Sequence, residues 1–132
     1  MSIELPLAGS CHCGAVRFHL KVVPDWITIC NCTLCRRINA RWAHADPKDV
    51  TLDYPADGVI RYIQGDKLLA TISCATCGST THWEPVDPPD HPRMGLNLNM
   101  ADPAAIAGIP VRYLDAADSW EYTYPDTEES ER

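Results

Sequence analysis

Seven cysteines, spaced as CHC at 11–13, CNCTLC at 30–35 and CATC at 74–77, constrain this 132-residue chain more than any other feature. An odd number of thiols cannot be fully paired as disulfides within one chain. Two sulfurs on one tetrahedral zinc lie about 3.8 Å apart, given Zn–S bonds of about 2.3 Å, whereas side chains i and i+2 of a straight strand are roughly 7 Å apart. Cys30 and Cys32 can therefore share a metal only where the chain bends sharply, and the step to Cys35 then wraps three sulfurs around one point. No His, Asp or Glu in this stretch offers an obvious fourth ligand. Three protein ligands with one open position is the pattern of a reactive zinc, whereas structural sites are closed by four. Cys11, Cys13, Cys74 and Cys77 make a complete set of four. The competing reading is a redox pair or scattered buried thiols. Recurrence of C-x-C and C-x2-C pairs favours zinc, two per chain.

The length suits one domain with a modest core, expected over 1–125, followed by an acidic tail at 126–132. MSIELPLAGS has neither a basic start nor an apolar run, and no stretch approaches the roughly 18 apolar residues of a membrane span. A cytoplasmic location is expected, where reduced thiols favour metal ligation over disulfides. The net charge of −7 argues against nucleic acid and against an anionic membrane surface as partners.

Eleven prolines leave little room for long helices. Most readable segments alternate with period two. Val16, Phe18 and Leu20 face one way and Arg17, His19 and Lys21 the other, which predicts a half-buried strand leaving CHCG. WITI (26–29) predicts a strand that delivers Cys30, and TLCRRI (33–38) one helical turn. RWAHA (41–45) puts Trp42 and His44 on one side of a strand. VIRYI (59–63) and KLLATIS (67–73) flank Gln64-Gly65-Asp66 as a hairpin whose second arm ends at Cys74. Further strands are expected at VTLDY (50–54), STTHWE (79–84), VRYL and SWEYT, with a stiff proline-rich loop at 85–92. In RMGLNLNM (93–100) the apolar alternates belong to the core. The Arg/Gly/Asn face is solvent or a polar pocket wall, solvent being the commoner case. ADPAAIAG (101–108) predicts a short helix capped by Asp102, with Pro103 in its first turn.

In order, CHCGAV, CNCTLCRR, CATCG and the late DPAAIAGIPVR leading to a tryptophan resemble the glutathione-dependent formaldehyde-activating enzyme family, from about Gly9 to Trp120. The resemblance implies a mainly β, Mss4-like fold: several small coiled antiparallel sheets around a structural zinc, with one or two short helices. It assigns Cys11, Cys13, Cys74 and Cys77 to that zinc, and Cys30, Cys32 and Cys35 to a second, catalytic zinc. It further implies a carbon–sulfur lyase or synthase that binds glutathione and captures formaldehyde as S-hydroxymethylglutathione. Thr80 and Thr81, where the family is more apolar, and the loop at 85–92 depart from the pattern; both are expected to border the substrate site.

An open zinc suits this chemistry, because a free thiol with a pKa of about 8.5 is mostly protonated at neutral pH and coordination ionises it. Arg36 and Arg37 can grip glutathione carboxylates, or merely neutralise the thiolates. Trp42 and Trp83 can wall a pocket or serve as core aromatics. His44 and His82 are the histidines nearest the chemistry by sequence, with structural roles as the competing reading. Two other readings stay open: a zinc-stabilised binding module without catalysis, and a lyase joining another small thiol to another electrophile or aldehyde.

Overall fold

A computed structural model describes residues 3–63, 65, 67–87 and 93–124. Eleven strands form two sheets among them. The smaller is antiparallel, in the order β1 (Leu7–Ser10), β2 (Arg17–Leu20), β5 (Val50–Asp53). The larger contains β3 (Ile27–Cys30), β4 (Trp42–Ala45), β6 (Val59–Ile63), β7 (Leu69–Cys74), β8 (Thr80–Pro85), β9 (Met94–Asn97), β10 (Val111–Leu114) and β11 (Tyr122–Thr123). Its order is β11-β10-β3-β4-β9-β8-β7-β6. The mainly β expectation holds. The all-antiparallel expectation needs one amendment: β3 and β10 run parallel, with Thr28 opposite Arg112 and Cys30 opposite Leu114. The two are far apart in sequence, and the chain returns through a helical segment before laying β10 down, the long connection a parallel pair requires.

The predicted strand β2 puts Phe18 and Leu20 inside and Arg17 outside. Leu7 joins them from β1, a strand too short and too mixed to be predicted. They pack on the inner face of the large sheet, where Ile27, Ala43, Ala45, Met94 and Leu96 are buried. Because side chains alternate across a strand, the neighbouring positions form the outer face. Thr28, Cys30, Trp42, His44, Thr71, Trp83 and Gly95 belong to it by this parity. Chemistry-bearing residues of five strands are thereby gathered on one surface.

Two short helices punctuate the sheets. Helix α1 (Cys35–Ile38) ends at Asn39, whose left-handed backbone (φ 54°) turns its N–H back to the Cys35 carbonyl. Helix α2 (Pro103–Ile106) begins as predicted, with the Asp102 side chain accepting from the Ala104 N–H at 3.0 Å.

The 93–100 segment corrects one preference. Its polar alternates are not solvated along the strand: Gly95 and Asn97 are both buried. The Trp83 indole lies over Gly95 so closely that a Cβ there would clash with its five-membered ring. Asn97 accepts from the Arg41 and Asn99 N–H groups and donates to the Thr80 carbonyl. A glycine thus makes room for an aromatic plate, and the alternation conceals a buried wall. The turn residues Gln64 and Asp66, positions 88–92 of the proline-rich loop and the acidic tail at 126–132 lie outside the described residues.

Candidate functional site

Two cysteine groups form, with the memberships the spacing predicts. Within each, the sulfurs lie inside 4.8 Å of one another, and all seven cysteines are free of disulfides. In the group of four, two similar knuckles face each other. The Cys11 N–H bonds the Val16 carbonyl and the Cys74 N–H bonds the Ser79 carbonyl, both at 2.9 Å. Gly14 (φ +87°) and Gly78 (φ +81°) supply the left-handed residue that turns each knuckle. Cys13 Sγ lies 3.7 Å from Cys11 Sγ and 3.6 Å from Cys74 Sγ. Cys11 follows β1 of the small sheet and Cys74 ends β7 of the large one, so the group joins the two sheets.

The donor pattern fits a metal. Val16 N–H points at Cys11 Sγ (3.2 Å), and the N–H groups of Thr76 and Cys77 point at Cys74 Sγ (3.4 and 3.5 Å). Backbone donors aimed at buried sulfur favour the thiolate form, which is the ligand form. A hydrogen bond with Ser79 holds the Cys77 thiol down at about 5.

The group of three sits where β3 stops and the chain folds into α1, the sharp bend the spacing requires. The Cys35 N–H donates to Cys32 Sγ at 3.2 Å, and the Trp42 indole N–H donates to Cys35 Sγ at 3.3 Å. Both fit ionised sulfur. Hydrogen bonding from the Cys35 thiol holds Cys30 down at about 6 and correspondingly pushes Cys35 up. All three sulfurs belong to half-buried residues that line an open pocket of about 340 Å³. Its walls are apolar: Leu34, Trp42, Leu69, Trp83, Ala116 and Trp120, with Thr71 contributing a hydroxyl.

Trp120 and Ala116 were not predicted as site residues. They arrive on the 115–120 turn, which is tied to the middle residue of CNC. Asn31 Nδ2 donates to Asp115 Oδ1, and Asn31 Oδ1 accepts from the Ala117 N–H, both at 2.9 Å. Asn31 between two cysteines was the available signal, but its partner lies 84 positions away.

Trp42 and Trp83 wall the sulfur pocket and meet edge to face at 6.5 Å. Arg36 and Arg37 are exposed on α1 and do not line that pocket. Arg37 bonds the Thr33 carbonyl at 2.7 Å and borders a shallow depression with Leu34 and Tyr62. His44 meets Trp83 in a tilted contact, 5.8 Å between ring centroids, but lines a different cavity, with Trp26, Arg93 and Arg112. Burial, with Arg93 and Arg112 nearby, pulls its pKa down to about 4, so the imidazole is neutral.

His82 faces inward and is fully buried. It lies 2.9 Å from both Thr81 Oγ1 and Glu84 Oε2, and Tyr54 donates to Glu84 at 2.8 Å. This network joins the sheets and is remote in orientation from the outer face. Thr80 and Thr81 do not border the sulfur pocket: Thr80 pairs with Ser73 at 2.8 Å and Thr81 is buried beside His82. Their polarity serves β-sheet hydrogen bonding between β7 and β8.

Among the described residues no helix is long and apolar enough to cross a membrane. A crystal structure of a Rhodobacter sphaeroides protein is similar to this chain, with a TM-score of 0.63 and 28% identity, covering 80% of this chain and 99% of that one. The family profile described as glutathione-dependent formaldehyde-activating enzyme matches residues 6–108, a span that holds both cysteine groups and most of the pocket wall. The chain belongs to the glutathione-dependent formaldehyde-activating enzyme family.

Proposed function

We propose that the protein is a zinc-dependent carbon–sulfur lyase/synthase that joins glutathione to formaldehyde at the Cys30/Cys32/Cys35 pocket. One observation carries the reading: three sulfurs line an open, apolar-walled cavity, while two of the other four cysteines, Cys11 and Cys74, are buried where the two sheets meet. In this reading Cys11, Cys13, Cys74 and Cys77 hold a structural zinc and Cys30, Cys32 and Cys35 the reactive one. Zinc in the second site supplies a position where an incoming thiol is held ionised.

The chain's own residues do the rest. Cys32 and Cys35 are oriented by the Cys35 N–H and the Trp42 indole. Leu34, Leu69 and the three indoles give the sulfurs an apolar wall against which a small carbonyl compound can rest. Holding sulfur and carbonyl side by side removes the entropic cost of their encounter. A C–S bond forms as the C=O π bond opens, and the proton lost by the thiol ends on the new hydroxyl, with no change of oxidation level. In this reading Thr71, the hydroxyl-bearing residue of the lining, is the donor to the developing oxygen.

The adduct forms spontaneously, so the informative quantity is its exchange rate above background, followed by NMR with wild type and Cys35→Ser in parallel. The expected outcome is acceleration by wild type only. In cobalt-substituted protein glutathione should intensify the sulfur-to-metal charge-transfer bands, and S-methylglutathione should not. A silent cobalt spectrum together with background exchange would leave a zinc-stabilised binding module.

A further inference from the structure

A second cavity, of about 480 Å³, is connected to the sulfur pocket through its wall: His44 of the one meets Trp83 of the other at 5.8 Å between ring centroids. Its lining includes Arg112, His44, Trp26, Arg93, Asp25 and Asp46. Arg112 is held in a specific way. Its Nε donates to Thr28 Oγ1 at 2.9 Å, and its guanidinium lies 3.9 Å from the Tyr122 ring centroid and 5.6 Å from that of Trp26. A guanidinium has five N–H donors, and fixing its plane leaves the terminal amino edge pointing in one direction. Among the described residues no carboxylate lies within salt-bridge distance of Arg112. A half-buried, pre-oriented fork without a counter-ion among the described residues is suited to a carboxylate from outside the protein.

The placement relative to the sulfurs is set by register. Arg112 pairs with Thr28, which precedes Cys30 by two positions on β3. Two residues along a strand and one strand across amount to roughly 8 Å. In glutathione eight bonds separate the sulfur from the γ-glutamyl α-carboxylate, roughly 9 Å when extended, so a ligand with its sulfur among the cysteines can reach Arg112 with that end.

Charge narrows the ligand further. His44 is neutral, so Arg93 and Arg112 face Asp25 and Asp46. Asp46 is already engaged by the Lys48 N–H at 3.0 Å and Lys48 Nζ at 3.5 Å. A cavity presenting both signs suits a head with an ammonium and a carboxylate together better than it suits a dianion.

We propose that this cavity is the docking site for the α-amino-acid head of the thiol substrate, with Arg112 receiving its carboxylate. The assignment rests on the thiol-binding reading above for its substrate, and it moves the carboxylate-gripping role from Arg36 and Arg37 to Arg112.

The test uses S-methylglutathione, which has no thiol to ionise, titrated into the zinc-loaded full chain and followed by ¹⁵N NMR. In wild type the shifts should fall at Trp26, His44 and Arg112. Arg112→Gln should weaken binding at least tenfold, Arg112→Lys less, and Arg37→Gln not at all. S-methylcysteamine, a thioether without the carboxylate, should leave these signals unmoved. If Arg112→Gln is unfolded by its amide spectrum, Arg112→Lys decides. The proposal is overturned if S-methylglutathione does not perturb this cavity, or if a folded Arg112 variant binds it as wild type does. A silent cobalt spectrum with glutathione overturns the thiol reading alone, because the thioether titration does not depend on sulfur ionisation.

Discussion

The Trp42 indole nitrogen lies 3.3 Å from the Cys35 sulfur, while the ring of the same residue walls the pocket into which that sulfur opens. One side chain thus does two separable things. Trp42→Phe keeps an aromatic wall and removes the N–H. Loss of an outer hydrogen bond to a metal ligand typically costs about 10–100-fold in metal affinity. The expected result is a protein that melts near wild type but loses the second metal at about tenfold lower chelator concentration, read by cobalt absorbance.

The two metals should differ in lability. The group of four is anchored by Cys11 and Cys74, both essentially inaccessible, and joins two sheets; the group of three opens to solvent. Stepwise chelation with metal analysis should release one zinc while the fold persists and the second only on unfolding. Cys77→Ser should cost several kcal/mol or abolish folding. Cys32→Ser should stay within about 1 kcal/mol of wild type in thermal stability while losing activity. Equal destabilisation by both would contradict the division.

His44 imposes an acid limit. Its folded pKa is about 4, against an unfolded value of about 6.5. Between those values the unfolded chain binds the proton and the folded protein does not, so stability rises with pH across this window. Its contribution is complete above about 6.5 and lost as pH falls toward 4, on the order of 3 kcal/mol. His44→Gln should flatten the urea-stability profile between pH 6.5 and 5 relative to wild type. Parallel profiles would count against the assignment.

Trp120 has a left-handed backbone (φ 61°) and is 68% exposed. A non-glycine residue in that conformation costs on the order of 1 kcal/mol. Trp120→Gly removes the strain together with little buried surface, so the variant should be equally or more stable by up to about 1 kcal/mol. It should also bind glutathione several-fold more weakly, by calorimetry, because the pocket loses a wall.

The strands could be read from local alternation, as at Val16, Phe18 and Leu20, and the cysteine groups from spacing and a repeated knuckle. What remained hidden was pairing. Nothing near Arg112 announces that it will lie opposite Thr28, one pleat from Cys30, because that follows from a parallel contact closed across 84 positions. Gly95 looked like a gap in a polar stripe, since the indole that fills it comes from a neighbouring strand. Arg36 and Arg37 attracted attention by adjacency to the triple, yet a four-residue helix carries them to its exposed side.

Asn31 holds the 115–120 turn by bonds to Asp115 and Ala117 while its own neighbours are Cys30 and Cys32. The outer rim of the pocket and its sulfur base therefore share a hinge pin. Attempts to broaden substrate range by lengthening the rim loop would pull on the same residue that spaces two sulfurs. Enlarging the cavity through Leu69, on β7, leaves that pin untouched and, under the proposed function, is the sounder route to accepting a bulkier electrophile.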